Sequence, residues 1–140
     1  MTKIDFYILK QETATAAALY ACRLAEKAYR SGHDVYIHCE DSDAADTLNQ
    51  QLWDFRDESF IPHSCHPGDN NPVLVGCGEY AGEHCDVLIN TARDMPSFFS
   101  RFQRLAEIVC QDETSLLASR QRYSFYKNRG YPLNSHTINS

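Results

Sequence analysis

The sequence lacks an excess of positive charge. Thirteen lysines and arginines stand against nineteen aspartates and glutamates, so its 140 residues carry a formal net charge of −6. A protein that coats nucleic acid through bulk charge needs a net basic surface to neutralise the phosphates. The composition therefore excludes that class of protein.

Long apolar runs and a signal peptide are also missing. No stretch approaches the roughly 20 apolar residues of a membrane-spanning helix. The N-terminal segment MTKIDFYILK enters a strand pattern directly, without the charged leader, apolar core and cleavage site of a signal peptide. We therefore expect a cytoplasmic protein with no membrane partner, whose six cysteines are reduced and form no disulfide framework.

Strands and helices alternate along the first half of the chain. A strand pattern at 3–9 precedes a helix that Thr13 can cap, and Gly32 supplies the stop signal of that helix. A second strand pattern at 34–39 precedes a second helix that starts at Ser42. Short connections between such units are typical of a parallel sheet with right-handed crossovers.

The second half of the chain continues this pattern. Strands are predicted at 73–75 and 86–90, and a last helix at 113–128. A third helix is predicted to begin at Pro96 and Ser97 and to carry on one side Phe98, Phe102, Leu105 and Val109. The fold class is therefore α/β, one domain over residues 1–140. We expect a doubly wound, mostly parallel sheet flanked by helices, with Rossmann-like topology but no phosphate-binding loop.

The loop after the first strand has no glycine. Its residues Lys10-Gln11-Glu12-Thr13 place an acidic side chain where a phosphate would sit. Phosphate cradles need glycines there, because backbone N–H groups must approach the anion closely. The glycine cluster at 76–82 has the wrong spacing and leads into a strand. These features argue against a dinucleotide-binding or P-loop function.

Metal-capable side chains are concentrated at the centre of the chain, namely His63, Cys65, His66, Cys77, His84 and Cys85. Zinc usually takes four ligands from two tight pairs, and no C-x-x-C pair is present. A surface loop is favoured over a zinc site, and neither a metal nor another cofactor is expected. No cysteine lies on a turn typical of a nucleophile, so no catalytic residue is assigned.

The C-terminal segment has the opposite charge to the rest of the chain. From Arg120 onward it contains four basic residues and no acidic one, whereas the preceding 119 residues contain nine basic and nineteen acidic ones. In helical projection Leu116, Arg120, Tyr123 and Lys127 line up. Such a basic, aromatic stripe suits an acidic peptide with hydrophobic side chains, or a strand of nucleic acid. The alternative is a solvated helix face whose tyrosines pack on the sheet.

Five segments spread over nearly the whole chain are distinctive. They are FYIL in the first strand, AYRSGHDVYIHCED, LW followed by ESFIPH within 52–63, DVLIN at 86–90, and RYSFYKNRGYPLN at 122–134. Together they resemble the chi subunits of bacterial DNA polymerase III holoenzyme. The resemblance implies a non-catalytic accessory subunit that pairs with the psi subunit of the clamp-loader complex. It also implies binding to the C-terminal tail of single-stranded DNA-binding protein, so that DNA is met only indirectly. The alternative is a small nucleotide- or zinc-dependent α/β enzyme.

The resemblance implies two binding surfaces. The psi-subunit interface is expected at Trp53, Phe60, Ile61, Pro62 and His63, because large aromatic side chains outside the clearest core stripe commonly anchor interfaces. The alternative is that both aromatic rings belong to the core of the domain itself.

The tail of single-stranded DNA-binding protein is expected at the last helix. Arg120 would hold the terminal carboxylate in its planar fork, with Tyr123 beside it on the same helix face. Further residues expected to line this site or to add positive charge are Val109, Arg122, Lys127, Arg129, Gly130 and Tyr131. The alternative is that Arg120 bridges to an acidic side chain on a neighbouring helix.

Overall fold

A seven-stranded parallel sheet organises the molecule. The computed structural model describes residues 1–55, 61–65, 71–79 and 82–138. In chain order the elements of these ranges are β1 (Lys3–Ile8), α1 (Ala14–Arg30), β2 (Val35–His38), α2 (Ser42–Asp54), β3 (His63–Ser64), β4 (Val73–Gly76), β5 (Val87–Asn90), a 3₁₀ turn (Phe99–Arg101), β6 (Arg104–Val109), α3 (Glu113–Asn128) and β7 (Leu133–Thr137). The strand order is β3-β4-β2-β5-β6-β1-β7. The predicted α/β class with a doubly wound sheet is confirmed.

The direction of each crossover decides which face its helix covers. The chain moves toward β3 through α1 and α2, and toward β7 through α3. Because parallel crossovers are right-handed, opposite directions place the helices on opposite faces of the sheet. One core accordingly joins α1 and α2 to residues such as Ile37 and Ile108. The other joins α3 to Phe6, Tyr36 and Leu105.

The predicted helix boundaries are largely confirmed. The side chain of Thr13 accepts a hydrogen bond from the backbone N–H of Ala16 at 3.2 Å, which caps α1. Gly32 follows α1 with a φ of +90°, a left-handed conformation that glycine adopts without a steric penalty. Asp112 caps α3 by accepting from the backbone N–H of Ser115 at 3.1 Å.

The predicted third helix is wrong. Only a single 3₁₀ turn forms at Phe99–Arg101, and Arg104–Val109 is the strand β6, hydrogen-bonded between β5 and β1. Leu105 and Val109 share one face in a strand as well as in a helix, because a spacing of four suits both periods. Ala106 and Ile108 fill the opposite core, which only a strand permits.

Two short strands were not foreseen. β3 has two residues, and β7 is the polar segment LNSHT at the edge of the sheet, where four of its five residues are exposed. An edge strand in contact with solvent needs no apolar alternation, so the usual sequence signal is absent.

Candidate protein-binding surfaces

A buried polar cluster fixes α3 to the sheet. Glu107 of β6 is completely buried, and its carboxylate accepts a hydrogen bond of 2.5 Å from the hydroxyl of Tyr126 and one of 2.9 Å from the side-chain amide of Asn90. The guanidinium of Arg122 lies 3.1 Å from the same carboxylate and also donates to the backbone carbonyl of Arg93. Two residues of α3, Arg122 and Tyr126, are thereby tied to the centre of the sheet.

The pKa of Glu107 reflects these opposing influences. Burial raises the pKa of the carboxyl group, while Arg122 and the hydrogen bonds from Tyr126 and Asn90 lower it, and the net direction is upward. Burial and the neighbouring carboxylate also raise the pKa of Tyr126, so its hydroxyl stays a donor. A buried group of this kind is costly to leave without its partners.

The residues predicted for tail binding are divided between two sides of α3. Arg122 faces the sheet and is 6% exposed, and Val109 of β6 is also buried. Arg120, Tyr123 and Lys127 face outward, as the burial pattern of the helix requires. Gly130, just beyond the helix, is exposed with a φ of +81°. The structure therefore brings Arg120, Tyr123 and Lys127 together, and separates Arg122 and Val109 from them.

The outward side of α3 combines positive charge with apolar area. Tyr123 is 38% exposed, and its inner edge meets the ring of Phe6 with a centroid distance of 5.4 Å. Arg120 precedes it by three residues and forms no ion pair with any residue in the described ranges. Leu117, which the sequence analysis missed, is 59% exposed one turn before Arg120. We call Leu117, Arg120, Tyr123 and Lys127 the outer face of α3. The sequence signal for Leu117 is its spacing, because a residue three positions before Arg120 lies on the same side of a helix.

A second candidate surface lies at the end of α2. Trp53 is 49% exposed, and its ring contacts that of His63 with a centroid distance of 4.6 Å. His63 is buried, with its ring nitrogens 2.6 Å from the carbonyl of Ile61 and 3.2 Å from that of Asn49. Ile61 belongs to the core and Pro62 is half-buried. Phe60, the other predicted anchor, lies outside the described residues.

The metal-capable residues within the described ranges do not form a cluster. His63 and His84 both make hydrogen-bond contacts to backbone carbonyls, the latter to Asn71 at 2.8 Å. No group of three or more potential ligands is found in the described ranges, which do not include His66. Within the same ranges, no helix is long and apolar enough to cross a membrane.

Comparison with solved structures identifies the fold class. The chain is similar to a structure described as "Mss116p DEAD-box helicase domain 2 bound to an RNA duplex", with a TM-score of 0.59 and 12% sequence identity. The match covers 97% of this chain and 65% of that one. At this identity the likeness shows only an open parallel α/β fold.

Sequence comparison identifies the family. Residues 1–134 match the family described as "DNA polymerase III chi subunit, HolC". DNA polymerase III subunit chi of Pseudomonas aeruginosa is 43% identical over 139 residues, which cover 99% of this chain and 98% of that protein. The chi subunit of Escherichia coli K12 is 29% identical, and the match covers 98% of this chain and 99% of that protein. The chain belongs to the DNA polymerase III chi subunit family. It is an accessory subunit in DNA replication and not a catalytic one.

Proposed function

We propose that this chi subunit is a cytoplasmic connector between two proteins. The outer face of α3 binds the acidic C-terminal tail of single-stranded DNA-binding protein. The surface around Trp53 and Ile61–His63 binds the psi subunit, which joins the clamp-loader complex. Contact with DNA at the outer face of α3 is then indirect, through the protein whose tail is bound.

The observation that carries this proposal is the exposed pair of Arg120 and Tyr123 on a basic segment of an acidic chain. A tail that ends in Asp-Asp-Asp-Ile-Pro-Phe presents a run of carboxylates, an apolar ring and a terminal carboxylate. Arg120 offers a guanidinium fork for that carboxylate, and Tyr123 with Leu117 offers apolar area for the ring. Lys127 adds positive charge for the aspartates.

A second observation supports the psi interface. The large apolar ring of Trp53 is about half exposed, and its inner side packs against the buried His63. Exposed tryptophans on a rigid support are common anchors of protein interfaces. The ring lies at the end of α2, on the opposite face of the sheet from α3, so the two partners do not compete for one surface.

Titration with a labelled tail peptide tests the proposal. We expect saturable binding of the peptide with a free C-terminal carboxylate, and much weaker binding of the same peptide as its C-terminal amide, because the amide carries no charge for Arg120. Binding should weaken as salt rises, since exposed charges are screened beyond about 8–10 Å. Equal binding of both peptides would show that the terminal carboxylate is not recognised.

A further inference from the structure

A row of three rings crosses the sheet on the face opposite α3. Tyr7 of β1 and His136 of β7 are paired in register, and their rings are stacked with a centroid distance of 5.0 Å and an interplanar angle of 20°. On the other side of Tyr7, the ring of Tyr20 from α1 lies at 5.6 Å. We call Tyr20, Tyr7 and His136 the ring row.

The ring row is accessible because α1 leaves this end of the sheet open. α1 packs on β2, β5 and β6, whereas β7 forms the edge and is exposed along most of its length. The side chain of His136 is 46% exposed, and Tyr7 and Tyr20 are partly exposed. Asp5 holds the His136 ring in place through a contact of 3.0 Å between its carboxylate and Nε2. The rings therefore present fixed aromatic surface to solvent.

Basic side chains lie next to the ring row. A cavity of about 270 Å³ opens beside Tyr7, and its lining includes Lys27 of α1 and Arg104 of β6. Lys3 is paired in register with Arg104, so its exposed side chain extends from the same face. Two carboxylates near this cavity contact histidines: Asp5 contacts His136 at 3.0 Å, and Asp86 contacts His33 at 2.8 Å. Lys3, Lys27 and Arg104 thus place three cations beside the ring row.

We infer that this surface binds single-stranded nucleic acid. Unpaired bases stack on aromatic side chains irrespective of their sequence, while nearby lysines and arginines hold the phosphates. The ring row supplies the first element, and Lys3, Lys27 and Arg104 supply the second. The net charge of −6 excludes coating through bulk charge but leaves room for a local site of this kind. The site is separate from the outer face of α3, and it does not depend on the function proposed for that face.

Fluorescence anisotropy with a labelled oligothymidylate of about 15 nucleotides at low salt tests the inference. We expect saturable binding, and the logarithm of the association constant should fall with the logarithm of salt concentration at a slope of about −2.1 if each of the three cations neutralises one phosphate. His136→Ala removes an exposed stacking ring and should weaken binding at least about fivefold. Lys27→Glu should weaken it as well and reduce the salt slope by about 0.7.

The matched control is Lys10→Glu, which makes the same charge change at an exposed position beyond the other end of β1, outside the cavity lining. It should bind the oligonucleotide nearly as well as the unaltered protein. Failure of the unaltered protein to bind at low salt would overturn the inference, as would equal losses in Lys10→Glu and Lys27→Glu. Equal affinity for an abasic strand would exclude stacking. Displacement of the oligonucleotide by a polyglutamate peptide at equal concentration would assign the surface to an acidic protein instead.

Discussion

The hydroxyl of Tyr126 donates a hydrogen bond of 2.5 Å to the carboxylate of Glu107, and both side chains are completely buried. This bond joins the last turn of α3 to the strand β6. The outer face of the same helix carries the side chains to which we assign tail binding. The orientation of the proposed binding surface is therefore set by contacts on the reverse side of the helix.

Tyr126→Phe should destabilise the fold without an effect on any exposed residue. The substitution removes only the hydroxyl and leaves one oxygen of the buried Glu107 without its donor. We expect the free energy of unfolding to fall by about 1.5–3 kcal/mol, the range for a hydrogen bond to a charged group. Denaturation in urea measures it. Tyr123→Phe, at an exposed position of the same helix, should change stability by no more than about 0.5 kcal/mol. Equal effects of the two variants would contradict this account of the cluster.

The N-cap of α3 should give a pH-dependent contribution to stability. Hydrogen bonds from Ser115 and Cys110 lower the pKa of Asp112 from 3.8 to about 2. Because the pKa is lower in the folded state, the contribution is present above pH 3.8 and is lost as pH falls toward 2. Asp112→Ala should cost about 1 kcal/mol near neutral pH. The difference from the unaltered protein should shrink steadily below pH 3.8.

Asp112→Asn is the control for this prediction, since asparagine caps helices as well as aspartate and does not titrate. Asp112→Asn should keep most of the stability at neutral pH. The difference in free energy of unfolding between Asp112→Asn and Asp112→Ala should not shrink as the pH falls. Unfolding curves recorded in urea across the acid range provide the comparison. A difference between the unaltered protein and Asp112→Ala that is constant with pH would be evidence against a depressed pKa.

Arg120→Ala should weaken tail binding selectively. The loss of a hydrogen bond between two charged groups predicts a reduction of about 1.5–3 kcal/mol in binding free energy. Arg120→Lys should recover only part of it, because an ammonium group lacks the planar fork. The neighbouring exposed residue gives a control, and Gln121→Ala should bind normally. With the amidated tail peptide, Arg120→Ala should cause little further loss. If Arg120→Ala weakened binding of the amidated peptide as much as it weakens binding of the free carboxylate, Arg120 would contact another part of the peptide.

Trp53→Ala should weaken binding of the psi subunit by about 2 kcal/mol or more, as expected for an aromatic anchor. The ring is half in solvent, so the variant should remain folded, which circular dichroism can establish. Isothermal titration with purified psi subunit measures the affinity. Leu117→Ala removes a similarly exposed apolar side chain on the other face of the sheet and should leave psi binding intact. Loss of folding in Trp53→Ala would instead place the ring in the core of this domain.

The sequence predicted those parts of the molecule in which local and global signals agree. The Thr13 cap and the Gly32 stop both indicate the same helix, and α1 forms there. The signals for Arg104–Val109 were ambiguous, because an apolar spacing of four fits both a helix and a strand. Only the position between β5 and β1 resolves the ambiguity, and that position is a property of the whole sheet.

The same ambiguity affects Arg122 at the candidate site. On a helix over 96–109, Glu107 would lie opposite the apolar side and would offer no buried partner to a base. As part of β6, Glu107 is buried and pairs with Arg122, which removes this arginine from the outer surface. Arg120 and Tyr123 needed no such information, because the helical period alone places them outward.

The position of α2 and α3 on opposite faces of the sheet has a consequence for how two partners would be held. A tail on the outer face of α3 and a psi subunit at Trp53 would be separated by two helix layers and a sheet, at least about 20 Å. Neither would touch the other, so their affinities would be independent. The domain would raise the effective concentration of each partner near the other. A partner bound on one side of the sheet would stay close to the partner bound on the opposite side, without any new contact between the two.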